Sequence, residues 1–307
     1  MADHGVMPHT GPRAVLSAAP PWTYFIGSAV FHYLGPAFAV LLFTALAPLG
    51  VAALRIWSAA LVFALWRRPW RTLARMDAAS RRTIIAWGAV LAAMNVCFYL
   101  AIARVPLGTV AAIEFLPVIV LAALGARTVR NLVALVAAVG GVYVLTGIRL
   151  EGEPLGLAFA FANAVLFAAY IVLAHRTARR LPGVDGIDGL AAAMLVACVL
   201  VAPVGVWQAA PAVFEPITLA AGIGVGICSS VIPYVCDQLA MARMARSTYA
   251  LLVALLPATA TVIGIAVLRQ LPSLAELAGV ALVVLSVAVH RESATKVPQK
   301  GAPECST

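Results

Sequence analysis

Residues 105–117 read VPLGTVAAIEFLP, an apolar run broken by a single carboxylate, Glu114. Extended to residue 126 the run carries no other charge, and it is long enough to cross a bilayer, whose hydrocarbon core of about 30 Å takes roughly 20 apolar residues in helical form. A charge near the centre of such a helix costs on the order of 2.5–3.5 kcal/mol. Glu114 must therefore face other helices rather than lipid, and this requires a bundle around it.

The rest of the chain supplies one. Of its 307 residues 63% are hydrophobic and 11% charged, with a mean hydropathy of +1.01, whereas an ordinary soluble domain carries about 25% charged residues. Uncharged windows run over 83–103, 131–148, 154–175, 189–214, 216–236 and 247–268. The 41 uncharged residues between Arg13 and Arg55 hold one span, a turn at Ala47-Pro-Leu-Gly50 and the start of a second. The window 270–290 is interrupted only by Glu276. The expectation is an all-α integral membrane protein with ten transmembrane helices.

Lys and Arg test this count, because they concentrate in cytoplasmic loops. With ten spans, 17 of the 21 basic residues fall on one side, and only Arg104, Arg149 and Arg269 on the other, with Arg55 inside the second span. Both termini are thus expected in the cytoplasm, with the multi-pass chain in the cytoplasmic (inner) membrane. The excess of positive charge is topological and calls for no nucleic acid. Trp22, Trp66, Trp70 and Trp87 lie at predicted span ends and read as interfacial anchors. The first 20 residues lack a signal peptide's long apolar core behind a basic start, and read as a cytoplasmic tail.

The halves resemble each other. AIARVPLGTVAAIEFLP, ending at Pro117, parallels AMARMARSTYALLVALLP, ending at Pro257, with one gap; NLVALVAAVGGVYV from Asn131 parallels ELAGVALVVLSVAV from Glu276. Five helices per half is an odd number, so the second half must be upside down relative to the first, an inverted-topology repeat of the kind that lets a central site face alternate sides of a membrane. The predicted organisation is a tail over 1–21, a first repeat over 22–148, a second over 149–290 and a cytoplasmic tail over 291–307.

The stretches AAMNVCFYLAIARVPLGTVAAIEF (92–115), APLGVAALRIWSAALVFALWRRPWR (47–71) and SSVIPYVCDQLAMARMARSTYALLVALLP (229–257) resemble the threonine and homoserine exporter branch of the drug/metabolite transporter superfamily, over roughly residues 24–290. The resemblance implies ten helices in two inverted EamA-type repeats and export of small amino acids. The chain departs from the family in its second half, where Leu256 stands in the position commonly occupied by a glutamate before the proline.

Candidate functional residues are the polar groups that apolar spans can least easily hide. Glu114 lies about seven residues, roughly 10 Å, inside the fourth span. Arg55 is at similar depth in the second, and a carboxylate and a guanidinium at one depth are natural partners. They read either as a structural ion pair or as the ends of a site for a zwitterionic substrate or a coupling proton. Asn95 and Tyr99, four residues apart, share a face of the third span, and Asn163 and Tyr170 form a similar stripe on the sixth. Pro117, Pro257 and Pro233 are expected inside helices, where proline removes a backbone hydrogen bond and kinks the rod.

Other features carry less. Gly222 and Gly226 in GIGVGI have the spacing of close helix packing. Cys97, Cys198, Cys228, Cys236 and Cys305 have no metal-ligand spacing, and no cofactor or metal is expected. No nucleotide loop or catalytic triad is present in the sequence, so the chain is expected not to be an enzyme; an integral-membrane lipid-modifying enzyme is the alternative from another class. The reading is a secondary active transporter, moving small amino acids by proton-coupled alternating access, with a small-molecule substrate, protons and the lipid bilayer as its partners. Efflux of a drug or another metabolite by the same fold is the closer alternative.

Overall fold

The computed structural model describes residues 20–125, 128–149, 153–180, 186–241 and 255–289. The two tails, and residues 242–254 with most of the second copy of the repeated motif, lie outside the described residues.

Helices account for nearly all of what is described: α1 (Pro21–Leu42), α2 (Pro48–Arg67), the short α3 (Pro69–Arg75), α4 (Ala78–Ile102), α5 (Leu107–Gly125), α6 (Val129–Arg149), α7 (Pro154–Arg180), α8 (Gly186–Val213), α9 (Pro216–Gly226), a π-helical segment (Ile227–Val231), α10 (Ile232–Met241), α11 (Leu256–Leu268) and α12 (Leu274–Val289). Helices α9 and α10 run on through the π segment without a break. Six stretches are long and apolar enough to cross a membrane, and four shorter apolar helices lie within α5, α6, α11 and α12. The chain is a multi-pass membrane protein.

The sequence marks the helix ends chemically. Pro21, Pro48, Pro69 and Pro216 sit in first turns, where the missing N–H is one that a helix start leaves unpaired anyway. Asp77 caps α4, its carboxylate accepting from the Ala79 N–H at 3.2 Å; hydrogen bonding to Ser80 holds this carboxyl below its ordinary pKa. Glu276, the one charge of the tenth predicted span, turns out to be a capping residue. Its Oε2 accepts from the Ser273 N–H at 2.8 Å, and Ser273 Oγ accepts from the Glu276 N–H at 3.2 Å. This is a reciprocal capping box, and it places the charge in the first turn of α12.

Helix α4 packs against α7 and α8, α2 against α8 and α9, α1 against the α9–α10 rod and α11, α5 against α7 and α11, and α6 against α12. Two apolar clusters fill the interior. One gathers Leu46, Ile102, Val105, Leu107, Leu145 and Ile263 near one set of helix ends; the other joins α2, α4 and α8 around Phe63, Ile84, Trp87 and Leu91. Trp57 packs against both. The clusters meet near the middle of α2 and α4, where Arg55 and Asn95 lie.

Trp22, Trp66, Trp70 and Trp207 are half-exposed or more, but Trp87 is only 4% exposed. Its indole packs 5.6 Å from the Tyr170 ring, so the expectation of an interfacial anchor fails there. Trp87 lies in the third turn of α4, on the face that meets α7 and α8.

Candidate functional site

Arg55 projects from α2 toward the π segment and α4. Its Nε donates to Ser230 Oγ at 3.1 Å, Nη1 to Asn95 Oδ1 at 2.6 Å and Nη2 to the Ser229 carbonyl at 3.3 Å. The Tyr99 ring lies 5.6 Å from the guanidinium carbon, a cation–π distance. Asn95 is itself held, its Nδ2 donating to the Leu91 carbonyl at 2.8 Å. The backbone acceptor has a cause in the sequence. Pro233 has no N–H to give the carbonyl four residues back, which is that of Ser229, and the guanidinium takes up this same carbonyl. Of the five N–H groups of an arginine three make these bonds, one on each terminal nitrogen makes none of them, and the Tyr99 hydroxyl lies within reach of the guanidinium.

Glu114 is buried on α5 with 7% exposure. Its Oε1 accepts from Asn163 Nδ2 of α7 at 3.1 Å. The amide's other end, Asn163 Oδ1, is buried with no hydrogen-bond partner among the described residues. Glu114 and Arg55 form no ion pair among the described residues, which corrects the expectation that they meet: each is held by an amide, Asn163 on one side and Asn95 on the other. They remain within electrostatic range of one another, and His32 on α1 also feels the guanidinium charge.

The constellation thus presents unspent donors on Arg55 and unspent acceptors on Glu114 and Asn163. Such groups could each take a further partner of opposite hydrogen-bonding kind, because a buried polar group left unpaired costs about 1–3 kcal/mol. No redox, metal or nucleophilic chemistry is required of any of them.

Comparison with known proteins agrees in kind. Residues 154–290 match the EamA-like transporter family. Over those residues the chain is similar to EamA-like transporters. The threonine/homoserine exporters RhtA of Salmonella typhimurium (strain LT2) and Escherichia coli (strain K12) are each 29% identical to this chain over 239 residues, covering 77% of it and 79% of theirs. A protein crystal structure 20% identical to this transporter aligns over 88% of it and 95% of the other chain with a TM-score of 0.58, a likeness of fold. The proteins this chain is similar to are transporters rather than enzymes, which counts against the lipid-modifying enzyme alternative.

The remaining predicted residues of the transporter divide. Asn95 and Tyr99 share the Arg55 site as their common face required. Asn163 joins Glu114, but Tyr170 does not: it lies in an aromatic row in which Phe167 is stacked on it at 6.2 Å and Trp87 lies at 5.6 Å. Pro117 is inside α5. Pro233 follows the π segment. Pro257 is in the first turn of α11 as described, directly after residues 242–254, which lie outside the described residues. Sequence reasoning missed Ser229, Ser230 and Tyr33; hydroxyl groups leave apolar runs intact, and only the neighbouring Pro233 hinted at the first two.

A cleft of about 250 Å³ lies elsewhere in the transporter, between the starts of α5 and α12 and the end of α11, with Thr109, Thr261, Gln270 and Glu276 on its walls. Its main polar groups already have structural work: Gln270 Oε1 accepts from the Leu107 N–H at 3.2 Å, and Glu276 closes the capping box of α12.

Close backbone approach brings the Arg55 site together. A Cβ on Gly226 would stand 1.8 Å from Ser58 Oγ and 2.7 Å from the Arg55 carbonyl, so α9 touches α2 as the glycine spacing predicted. Overpacking of this kind costs typically about 1–3 kcal/mol. Gly226→Ala is expected to lower the thermal midpoint of the detergent-solubilised transporter and to reduce transport, whereas Gly224→Ala, with open space around its Cβ, leaves both near wild type.

Proposed function

We propose that the protein is a secondary active exporter of small amino acids of the threonine and homoserine type, working by proton-coupled alternating access. The observation that carries the substrate class is the division of unspent hydrogen-bonding groups: donors on Arg55, acceptors on Glu114 and Asn163. An amino acid's carboxylate fits the free N–H groups of the guanidinium. Its ammonium, with three donors, fits the Glu114 carboxylate and Asn163 Oδ1. The names of the similar exporters point to hydroxylated small amino acids within that class.

Coupling follows from competition. A carboxylate that holds an ammonium cannot hold a proton at the same oxygen, so Glu114 alternates between substrate and proton. If both forms cross and the empty ionised form does not, one moves out as the other moves in.

Helix packing supports two inverted five-helix repeats over 22–148 and 149–290, with ten spans if the α9–α10 rod counts as one and α3 is left out. Exchanging each span for the one five places along converts the contact of α1 with the α9–α10 rod into that of α7 with α4. It likewise converts α1 with α11 into α7 with α5, and α2 with the rod into α8 with α4, while the pairs α2–α8, α5–α11 and α6–α12 map onto themselves. Such a plan suits alternating access. On this reading the chain sits in the cytoplasmic membrane with the basic loops and both termini inside.

Proteoliposomes loaded with labelled threonine, homoserine and leucine test the proposal under an imposed pH gradient. Efflux of threonine and homoserine that accelerates when the external side is acidic is expected. Flux indifferent to the gradient would remove the proton coupling, and failure of every amino acid to move, with movement of hydrophobic cations instead, would replace the substrate class by drug efflux.

A further inference from the structure

Two hydroxyl groups in the centre of the bundle are unexplained by anything above. Tyr33 on α1 and Tyr99 on α4 are both fully buried, and neither phenolic oxygen makes a well-formed hydrogen bond among the described residues, although the Tyr99 hydroxyl lies within reach of the Arg55 and Ser229 side chains. Each belongs to one half of the charged constellation. The Tyr99 ring lies beneath the Arg55 guanidinium, and Tyr33 lies within electrostatic range of Glu114. Their rings are fixed by packing: Tyr33 edge-on to His32 at 5.0 Å, Tyr99 edge-on to Phe43 at 6.2 Å and to Phe98 at 5.9 Å. Neither hydroxyl can therefore swing away to find water without disturbing the core around it.

A tyrosine used only for bulk would be a phenylalanine here. Burying an O–H without a partner is costly, and native proteins rarely do so twice in one place without a use. We propose that the Tyr33 and Tyr99 hydroxyls are the specificity-determining groups of the site, pairing with the side-chain hydroxyl of the substrate while Arg55 and Glu114 hold its charged ends. The inference rests on the amino-acid reading above and deepens it by naming the groups of this chain that select a hydroxyl-bearing substrate.

The physical basis is an asymmetry in recognition. An apolar pocket distinguishes two ligands that differ by a hydroxyl only weakly, by about 100-fold at best, but a site built to hydrogen-bond a hydroxyl rejects the analogue lacking it far more strongly, because its own polar groups are then left unpaired. Threonine and valine are the natural pair for the comparison, being nearly equal in shape. Wild type should transport threonine at least about tenfold faster than valine at equal low concentration.

The test measures initial rates for threonine and valine in proteoliposomes of wild type, Tyr33→Phe, Tyr99→Phe and the double variant, alongside thermal midpoints of each purified protein with and without either amino acid. The threonine-to-valine ratio is expected to fall in each single variant and to approach one in the double variant, with valine transport retained. The ligand-free midpoint is expected to hold or rise, since an unsatisfied buried group has been removed, while the extra stabilisation by threonine over valine shrinks. A hydroxyl with a merely structural role would lower the ligand-free midpoint and leave the ratio alone, which would overturn the proposal. Equal transport of threonine and valine by wild type overturns it too, without any variant. Should the double variant fail to fold, the two single variants decide by the same ratio. If no amino acid moves in wild type, the amino-acid reading itself has failed, which is a different result from amino-acid transport indifferent to the two hydroxyls.

Discussion

Arg55→Lys should cut threonine transport by about 100-fold or more while the protein still reaches the membrane and folds. The expectation follows from what the guanidinium does at once. It holds Ser230, Asn95 and the Ser229 carbonyl and still has one N–H on each terminal nitrogen for a carboxylate. A lysine ammonium is a point charge with three donors and no fork, so it cannot reproduce both sets of contacts. Charge-assisted hydrogen bonds contribute about 1.5–3 kcal/mol each, and 1.4 kcal/mol is a factor of ten in affinity; losing two of them to the substrate gives the stated size. Initial rates in proteoliposomes, normalised to inserted protein, provide the measurement. Near-normal rates in Arg55→Lys would reduce Arg55 to a tie between α2 and the π segment.

Glu114→Gln separates binding from coupling. Glutamine keeps the size of the side chain and can still accept from Asn163 Nδ2, so the bundle should persist with its thermal midpoint little changed. It carries no charge and takes up no proton. An ion pair at about 4 Å gains about 4 kcal/mol at an effective dielectric constant near 20, so substrate affinity is expected to drop by at least about 100-fold. The residual exchange of labelled for unlabelled threonine should ignore pH, and acceleration by a pH gradient should vanish altogether. A variant that still follows the gradient would move the coupling site elsewhere and leave Glu114 as a partner of Asn163 only.

The helices were legible because charge is rare in this chain and its placement is punctuation: the windows between charged residues correspond closely to α4 through α10 and to α12, and α11 lies within the window 247–268. Glu276 looked like a flaw in the last window and is the cap that begins the last helix, a distinction the pattern Ser273-Leu-Ala-Glu276 already contained. Arg55 and Glu114 were legible as site residues because their burial needs a reason, and Asn95 because its face was fixed by Tyr99. Their partners were not. Depth along a span says nothing of azimuth, so two groups on one level looked like a pair when each is turned toward a different amide. Tyr170, nearly two full turns from Asn163, shares its face of α7 but lies at another depth, beside Phe167 and Trp87. The π segment has no compositional mark apart from the proline that follows it.

The carbonyl freed by Pro233 joins chemistry to mechanics. Since Arg55 stands in the first half of the chain and the oxygen it grips belongs to the backbone of the second, the guanidinium is a rivet through both. Shifting the rod around residue 229 while this grip lasts would drag the anionic end of a bound amino acid with it. Breaking the grip would instead leave the arginine with one more N–H to offer cargo. Either way, the strength with which residue 55 holds its passenger reports the position of a helix in the opposite half, and a proline 178 residues away in the chain sets the terms.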